Sequence, residues 1–205
     1  MGTIDLQRVQ KRRKLAIAAI LATAVVLILF THSRALSESG WHEAIDILGA
    51  AAIVLCILGR TWSSIYIAGS KRVRVVDTGP YSLTRNPLYV FSVIGALGVG
   101  LTTGSVVLGA ALGLVTFLVF HMVILSEETF LRTQFGGDYA DYAARVPRWL
   151  PKFSAWRGEE WVRTRPANIL ITFRDSCLFL LAVPAFEGIE YLQDIGTLPV
   201  LLVLP

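Results

Sequence analysis

Two adjacent carboxylates, Glu127 and Glu128, follow a long apolar run, and an arginine, Arg85, precedes it. Around Arg85 stands Gly79-Pro80-Tyr81-Ser82-Leu83-Thr84-Arg85-Asn86-Pro87-Leu88-Tyr89. Beyond the acidic pair come Phe135-Gly136, Tyr139 and Tyr142 three apart, and Arg145-Val146-Pro147. Carboxylates, phenols and guanidinium groups in this density can hold a cation, orient an anion, or close a polar site against water. Asn86-Pro87 is a helix-start signal: Asn is a favoured N-cap and Pro is favoured at the first helical position. The N-terminus of a helix begun there offers unpaired N–H groups and the positive end of a dipole, which suits a carboxylate or phosphate. The plainer reading is a well-capped helix beside a surface arginine. For Glu128 the plainer reading is an i,i+4 pair with Arg132 on a continuing helix. Asp138 is expected to cap a short helix carrying Tyr139 and Tyr142, and Pro147 to end it. Trp149, after Arg148, fits an interfacial anchor at headgroup depth.

What brings the two stretches together is the segment between them. The 41 residues from Asn86 to Ser126 carry no Asp, Glu, Lys or Arg. A bilayer core about 30 Å thick takes ~20 helical residues to cross. Two crossings return the chain to the face it left, so both stretches end on one side of the membrane.

Composition supports this. The chain has 205 residues, 54% hydrophobic and 17% charged, with mean hydropathy +0.60 and pI about 9.3. An ordinary soluble domain is about 25% charged. The expected fold class is all-α: a single membrane domain over 1–205, with about five transmembrane helices and a hairpin of the third and fourth. The spans are expected at about 14–33, 42–60, 87–101 and 105–125, with one kinked span or a re-entrant pair in 168–205 around Pro184. The stretch from Leu15 is read as a retained helix rather than a signal peptide. Lys and Arg alternate between connections: five in residues 1–14, Arg34 alone in 34–41, five again in 60–87, none in 102–104, seven in 126–167. The positive-inside rule then places the N-terminus and both motif stretches in the cytoplasm, in the inner membrane.

Other chemistries find little support. Cys56 and Cys177 lie in apolar runs without ligand-spaced neighbours, so neither a disulfide frame nor a metal site is expected. No basic patch interleaved with aromatics argues for nucleic acid, and no P-loop or Gly-x-Gly-x-x-Gly is present. His121 inside the fourth predicted helix is an intramembrane ionisable residue and thus a functional candidate; a hydrogen-bonded packing role is the alternative.

Taken together, Gly79-Pro80-Tyr81, Arg85-Asn86-Pro87-Leu88-Tyr89, Glu127-Glu128, Phe135-Gly136-Gly137-Asp138-Tyr139-Ala140-Asp141-Tyr142 and Val146-Pro147 resemble the isoprenylcysteine carboxyl methyltransferase family and its relatives among membrane phospholipid methyltransferases. The match covers about 60–151 in order, spacing and hairpin. The resemblance implies methyl transfer from S-adenosyl-L-methionine to a lipid or lipidated substrate, such as an isoprenylcysteine-like carboxylate. Carried over, Tyr81, Arg85, Asn86, Pro87, Leu88, Tyr89, Glu127, Glu128, Tyr139 and Tyr142 bind the cofactor. Glu128 and Arg145 act on the reacting groups, Arg145 by orienting an anionic substrate or cofactor carboxylate. The family's histidine is Asn86 here, which keeps a hydrogen-bonding side chain but cannot titrate. The rival readings are a non-catalytic membrane scaffold or assembly protein, and a membrane lipid reductase on a similar scaffold.

Overall fold

The computed structural model describes residues 41–69 and 73–200, together with 15, 31–33 and 202–204. Its helices are α1 (Trp41–Ile67), the single turn α2 (Pro80–Leu83), α3 (Pro87–Leu101), α4 (Val106–Phe135), α5 (Gly137–Arg145), α6 (Pro166–Cys177) and α7 (Ala182–Asp194). The architecture is all-helical apart from a three-residue parallel pairing of β1 (Thr31–Ser33) with β2 (Leu202–Leu204). Among the described residues, three helical runs are long and apolar enough to cross a bilayer: Glu43–Ile67, Val106–Phe135 and Pro166–Gln193. The chain is an integral membrane protein. The first expected span, 14–33, lies almost wholly outside the described residues, and its expected end is corrected because Thr31–Ser33 are extended.

The hairpin is present. α3 has 15 residues, about 22 Å of helix, and α4 has 30, about 45 Å. α4 therefore continues past the expected span end near residue 125, as the reading of Glu128 on a continuing helix requires. It runs on for over two turns past the membrane run, because Phe130, Leu131 and Phe135 continue its apolar face and Gly136 is the first residue that breaks it. Gly136 takes φ 53° and serves as C-cap of α4 and N-cap of α5 together. Asp138, expected to cap α5, lies inside its first turn. α1 likewise overruns its expected end, to Ile67.

α1 and α3 cross at glycines. A Cβ on Gly98 would stand 2.7 Å from the Gly49 carbonyl oxygen, and one on Gly49 would stand 2.8 Å from that of Gly98. Lipid-embedded helices associate through small residues of this kind, since lipid tails supply no hydrophobic drive. α6 is tied to α1 by polar contacts spaced four residues apart on both helices. Arg60 Nε donates to Ser176 Oγ at 2.7 Å, Ser64 Oγ to Thr172 Oγ1 at 3.1 Å, and Asn168 Nδ2 to the Ala68 carbonyl at 3.3 Å. Arg60 also donates through Nη1 to Ser92 of α3. One arginine thus joins three helices. The C-terminal run is one helical path with a 3-10 turn over Leu178–Leu181, just before Pro184, rather than a re-entrant pair.

Candidate functional site

The first motif stretch is short because each of its turns is dictated. Gly79 adopts φ 57°, Pro80 opens α2, and all four residues of α2 are buried. Asn86 holds the N-cap position of α3 and Pro87 its first position. After α5 the chain runs back under this stretch, and the two are stitched. Gly79 N donates to the Arg157 carbonyl at 2.7 Å, Arg85 N to that of Pro147 at 2.9 Å, and Lys152 N to that of Leu83 at 3.0 Å. Side chains add to the seam: Thr84 Oγ1 and Asn86 Nδ2 both donate to the Arg148 carbonyl, at 3.0 and 3.1 Å. Tyr142 Oη donates to the Tyr81 carbonyl at 2.8 Å, and Arg157 N to Ser82 Oγ at 3.0 Å. Residues more than 60 apart in sequence thereby form one unit.

At its centre is Glu128, whose side chain is only 7% exposed. Arg148 grips it bidentately, Nε to Oε1 at 2.9 Å and Nη2 to Oε2 at 2.8 Å, and Arg85 Nη2 reaches Oε1 at 3.3 Å. Arg85 also donates to the Ala143 carbonyl at 3.3 Å. The expected pairing of Glu128 with Arg132 is not the one formed. Arg132 lies over the Tyr139 ring at 5.7 Å. Two guanidinium groups therefore face one carboxylate, and Arg148, read in the sequence as part of an interfacial segment, is the member of this cluster that reading missed. Its only signal was a second arginine just past Val146-Pro147.

Arg145 is not brought to Glu128. It pairs with Asp77 at 3.1 Å, and Arg157 shares that carboxylate at 3.5 Å. These residues border a cleft of about 400 Å³. Tyr81, Tyr139 and Tyr142 are buried, and Tyr139 and Tyr142 meet edge to face at 5.9 Å. Burial raises all three phenol pKa values. Tyr139 is pushed up to about 12, with Glu128 adding to the effect; Tyr81 rises through burial, with Tyr89 and Glu127 adding, and Tyr142 through burial, with Tyr81 and Tyr139 adding. All three are therefore held in the neutral form at physiological pH. Tyr89 packs on Phe120 at 4.7 Å, and Leu88 offers its carbonyl to Ser92. Glu127 is half-buried on α4 beside Glu128. Trp149 does not stand alone as an interfacial anchor: its Nε1 donates to His121 Nδ1 at 3.1 Å, and its ring packs on Phe117 at 4.6 Å. That contact gives His121 a hydrogen-bonded packing role.

Asn86 departs from the expected side-chain cap. No capping bond from its side chain exists; the amide goes to Arg148 instead. Serine is too short to make that bond. Asn86→Ser should therefore lower stability by about 1 kcal/mol, the worth of one such bond, although serine is a good cap. Thermal unfolding in detergent checks this, and an unchanged midpoint would show that the amide contact carries nothing.

A family model described as phospholipid methyltransferase matches residues 47–138. Over nearly its whole length the chain is similar to two bacterial proteins. It is 34% identical over 189 residues to the cobalt-zinc-cadmium resistance protein CzcN of Cupriavidus metallidurans, covering 91% of this chain and 86% of that protein. It is 30% identical over 194 residues to the nickel-cobalt-cadmium resistance protein NccN of Alcaligenes xylosoxydans xylosoxydans, covering 95% and 91%. It is also 35% identical over 89 residues to the protein-S-isoprenylcysteine O-methyltransferase of Schizosaccharomyces pombe, covering 42% of this chain and 38% of that one. No solved structure matches.

Proposed function

The chain belongs to the phospholipid methyltransferase family, in its isoprenylcysteine methyltransferase-like form, and from that premise we propose that it transfers a methyl group from S-adenosyl-L-methionine to a lipid or lipidated acceptor at the cytoplasmic face of the inner membrane. The observation that carries this reading is the stitching of the two motif stretches around Glu128 at the membrane end of the α3–α4 hairpin.

The residues present fit such a cofactor. Tyr81 Oη and Arg85 Nε are buried polar atoms without hydrogen-bond partners. Beside them stand the aromatic pair Tyr89–Phe120 and the carboxylate of Glu127. When bound, the cofactor supplies an electrophilic methyl group on a sulfonium. The chain's part is to place it. Glu127 presents negative charge to the cation, and Tyr89 and Leu88 offer apolar and aromatic surface. Asn86 and Pro87 set the start of α3. Tyr81, Tyr139 and Tyr142 exclude water while remaining neutral. Both oxygens of Glu128 are engaged by arginines, so Glu128 acts as a positioning residue. It fixes Arg85 and Arg148, which stand where an acceptor anion is oriented. Arg145 keeps an anion-orienting role at the cleft with Asp77. Methyl transfer depends on alignment and desolvation more than on proton movement, which suits a site with Asn86 in place of a titrating histidine.

Inside-out membrane vesicles given methyl-labelled S-adenosylmethionine should label extracted lipid, and right-side-out vesicles should not. Glu127→Gln should weaken cofactor binding by ~1–3 kcal/mol, as for one charged hydrogen bond. Labelling from the outer face, or none with either orientation, would remove this reading.

CzcN and NccN favour a second reading over nearly the full chain: a membrane component of metal resistance. A host lacking the protein decides between them. If Glu127→Gln restores cadmium tolerance as well as the unaltered chain does, the tolerance does not need methyl transfer.

A further inference from the structure

The segment between α5 and α6 has an unusual surface. Leu150, Phe153 and Trp161 are 82%, 75% and 86% exposed, and Trp156 is about half exposed, yet Lys152, Arg157 and Arg163 are interleaved with them. In water so many large apolar groups on one short segment would be unfavourable. In the headgroup layer of a bilayer the same pattern is favourable, with rings and aliphatic chains dipping in and cations facing lipid phosphates. Trp156 stacks on Trp62 of α1, ring centroids 5.9 Å apart, and Trp62 lies just over one turn before the end of that spanning helix. Two stacked tryptophans at the end of a span mark headgroup depth.

At this depth opens the cleft of about 400 Å³ lined by Asp77, Ser82, Arg145, Lys152, Trp156 and Arg157, among others. Three cations stand against one carboxylate, a net charge of +2. Arg145 and Arg157 share Asp77, and Lys152 has no ion pair among the described residues. None of Glu127, Glu128, Asn86 or Tyr89 lines it. The cleft shares Arg145 with the proposed methyl-transfer reading but none of the residues assigned to the cofactor, so lipid binding by Lys152 and Arg157 does not depend on that reading.

We propose that this cleft is a binding site for the phosphate of an anionic membrane lipid, which enters at headgroup depth past Trp156 and is held by Lys152 and Arg157. A zwitterionic headgroup brings its own cation to a pocket that already has an excess of two, so phosphate without a neighbouring ammonium is preferred. Basic pockets at the membrane surface gain about fivefold in affinity per cation.

The test uses the full chain in nanodiscs of phosphatidylcholine, with and without phosphatidylglycerol, reading the melting midpoint and the lipid retained in native mass spectra. Phosphatidylglycerol should raise the midpoint and stay bound, and inorganic phosphate added to phosphatidylcholine discs should do neither. Lys152→Glu should weaken phosphatidylglycerol binding at least about fivefold, and Arg157→Gln by a similar factor. Arg165→Gln, at another exposed cation that does not line the cleft, should leave it unchanged. Lys152 has an exposed side chain, so its variant stays informative if Arg157→Gln disturbs the seam. Equal stabilisation by inorganic phosphate would make the ligand a soluble anion and overturn the proposal. An equal loss in Arg165→Gln would reduce it to diffuse surface charge. Loss of S-adenosylmethionine affinity in Lys152→Glu, with lipid binding intact, would give the cleft to the cofactor.

Discussion

Glu128→Gln should destabilise the protein by about 3 kcal/mol, the lower end of the cost of stripping one partner from a buried ion pair, and Arg148→Gln should cost clearly less. The asymmetry follows from the count of charges. Arg85 and Arg148 both face Glu128, so the cluster carries one cation more than it has anions. Removing the carboxylate leaves two guanidinium groups near each other without a counter-charge, one of them only 10% exposed. Removing Arg148, which is 33% exposed, leaves Glu128 matched one to one by Arg85. Both variants should lower the proposed methyl transfer, since the grip of Arg148 on Glu128 fixes the main-chain carbonyl of residue 148 that Thr84 and Asn86 bond. Melting midpoints of the two variants and their double mutant, in one detergent, test this. If Arg148→Gln proved as damaging as Glu128→Gln, the charge imbalance would not govern the cluster.

Gly79→Ala should be comparably severe, and Gly136→Ala should not, although the two glycines share a backbone conformation. Gly79 has φ 57° and ψ −136°; Gly136 has φ 53° and ψ −120°. Residues with a Cβ pay ~1–3 kcal/mol in such sparsely populated regions. Space separates the two. A Cβ on Gly79 would overlap the Tyr66 ring, whereas one on Gly136 meets nothing within 4 Å. Overlap in a packed site adds ~1–3 kcal/mol. It would also push Gly79 off the Arg157 carbonyl and open the seam near Ser82. Expression level and melting midpoint of both variants, side by side, give the result. Equal losses would mean that conformation alone matters and that the Tyr66 contact yields.

The sequence by itself determined the membrane character, the hairpin, and the sharing of one face by the two motif stretches. These follow from local quantities: an uncharged run of fixed length, an Asn-Pro helix start that α3 obeys to the residue, and glycines where helices end. The family followed from the same motifs, because their order and spacing survive without coordinates. The end of α1 lies beyond its expected span, since hydropathy marks where lipid stops and not where hydrogen bonding stops, whereas Gly136 ends α4 where the sequence signals it. Tertiary structure alone decided which arginine meets Glu128. Arg145 and Arg148 are three residues apart, but Arg145 ends α5 and projects toward Asp77, while the extended Val146-Pro147 turns Arg148 beneath α4. Tertiary structure also redirected the Asn86 amide from its own helix to the Arg148 carbonyl, and set Trp149 on His121. Each of these is a choice between partners of equal chemistry, one near in sequence and one far. Propensity and spacing describe only the near one; the far partner wins when burial removes water and makes a fixed, bidentate or otherwise unsatisfied contact the stronger of the two.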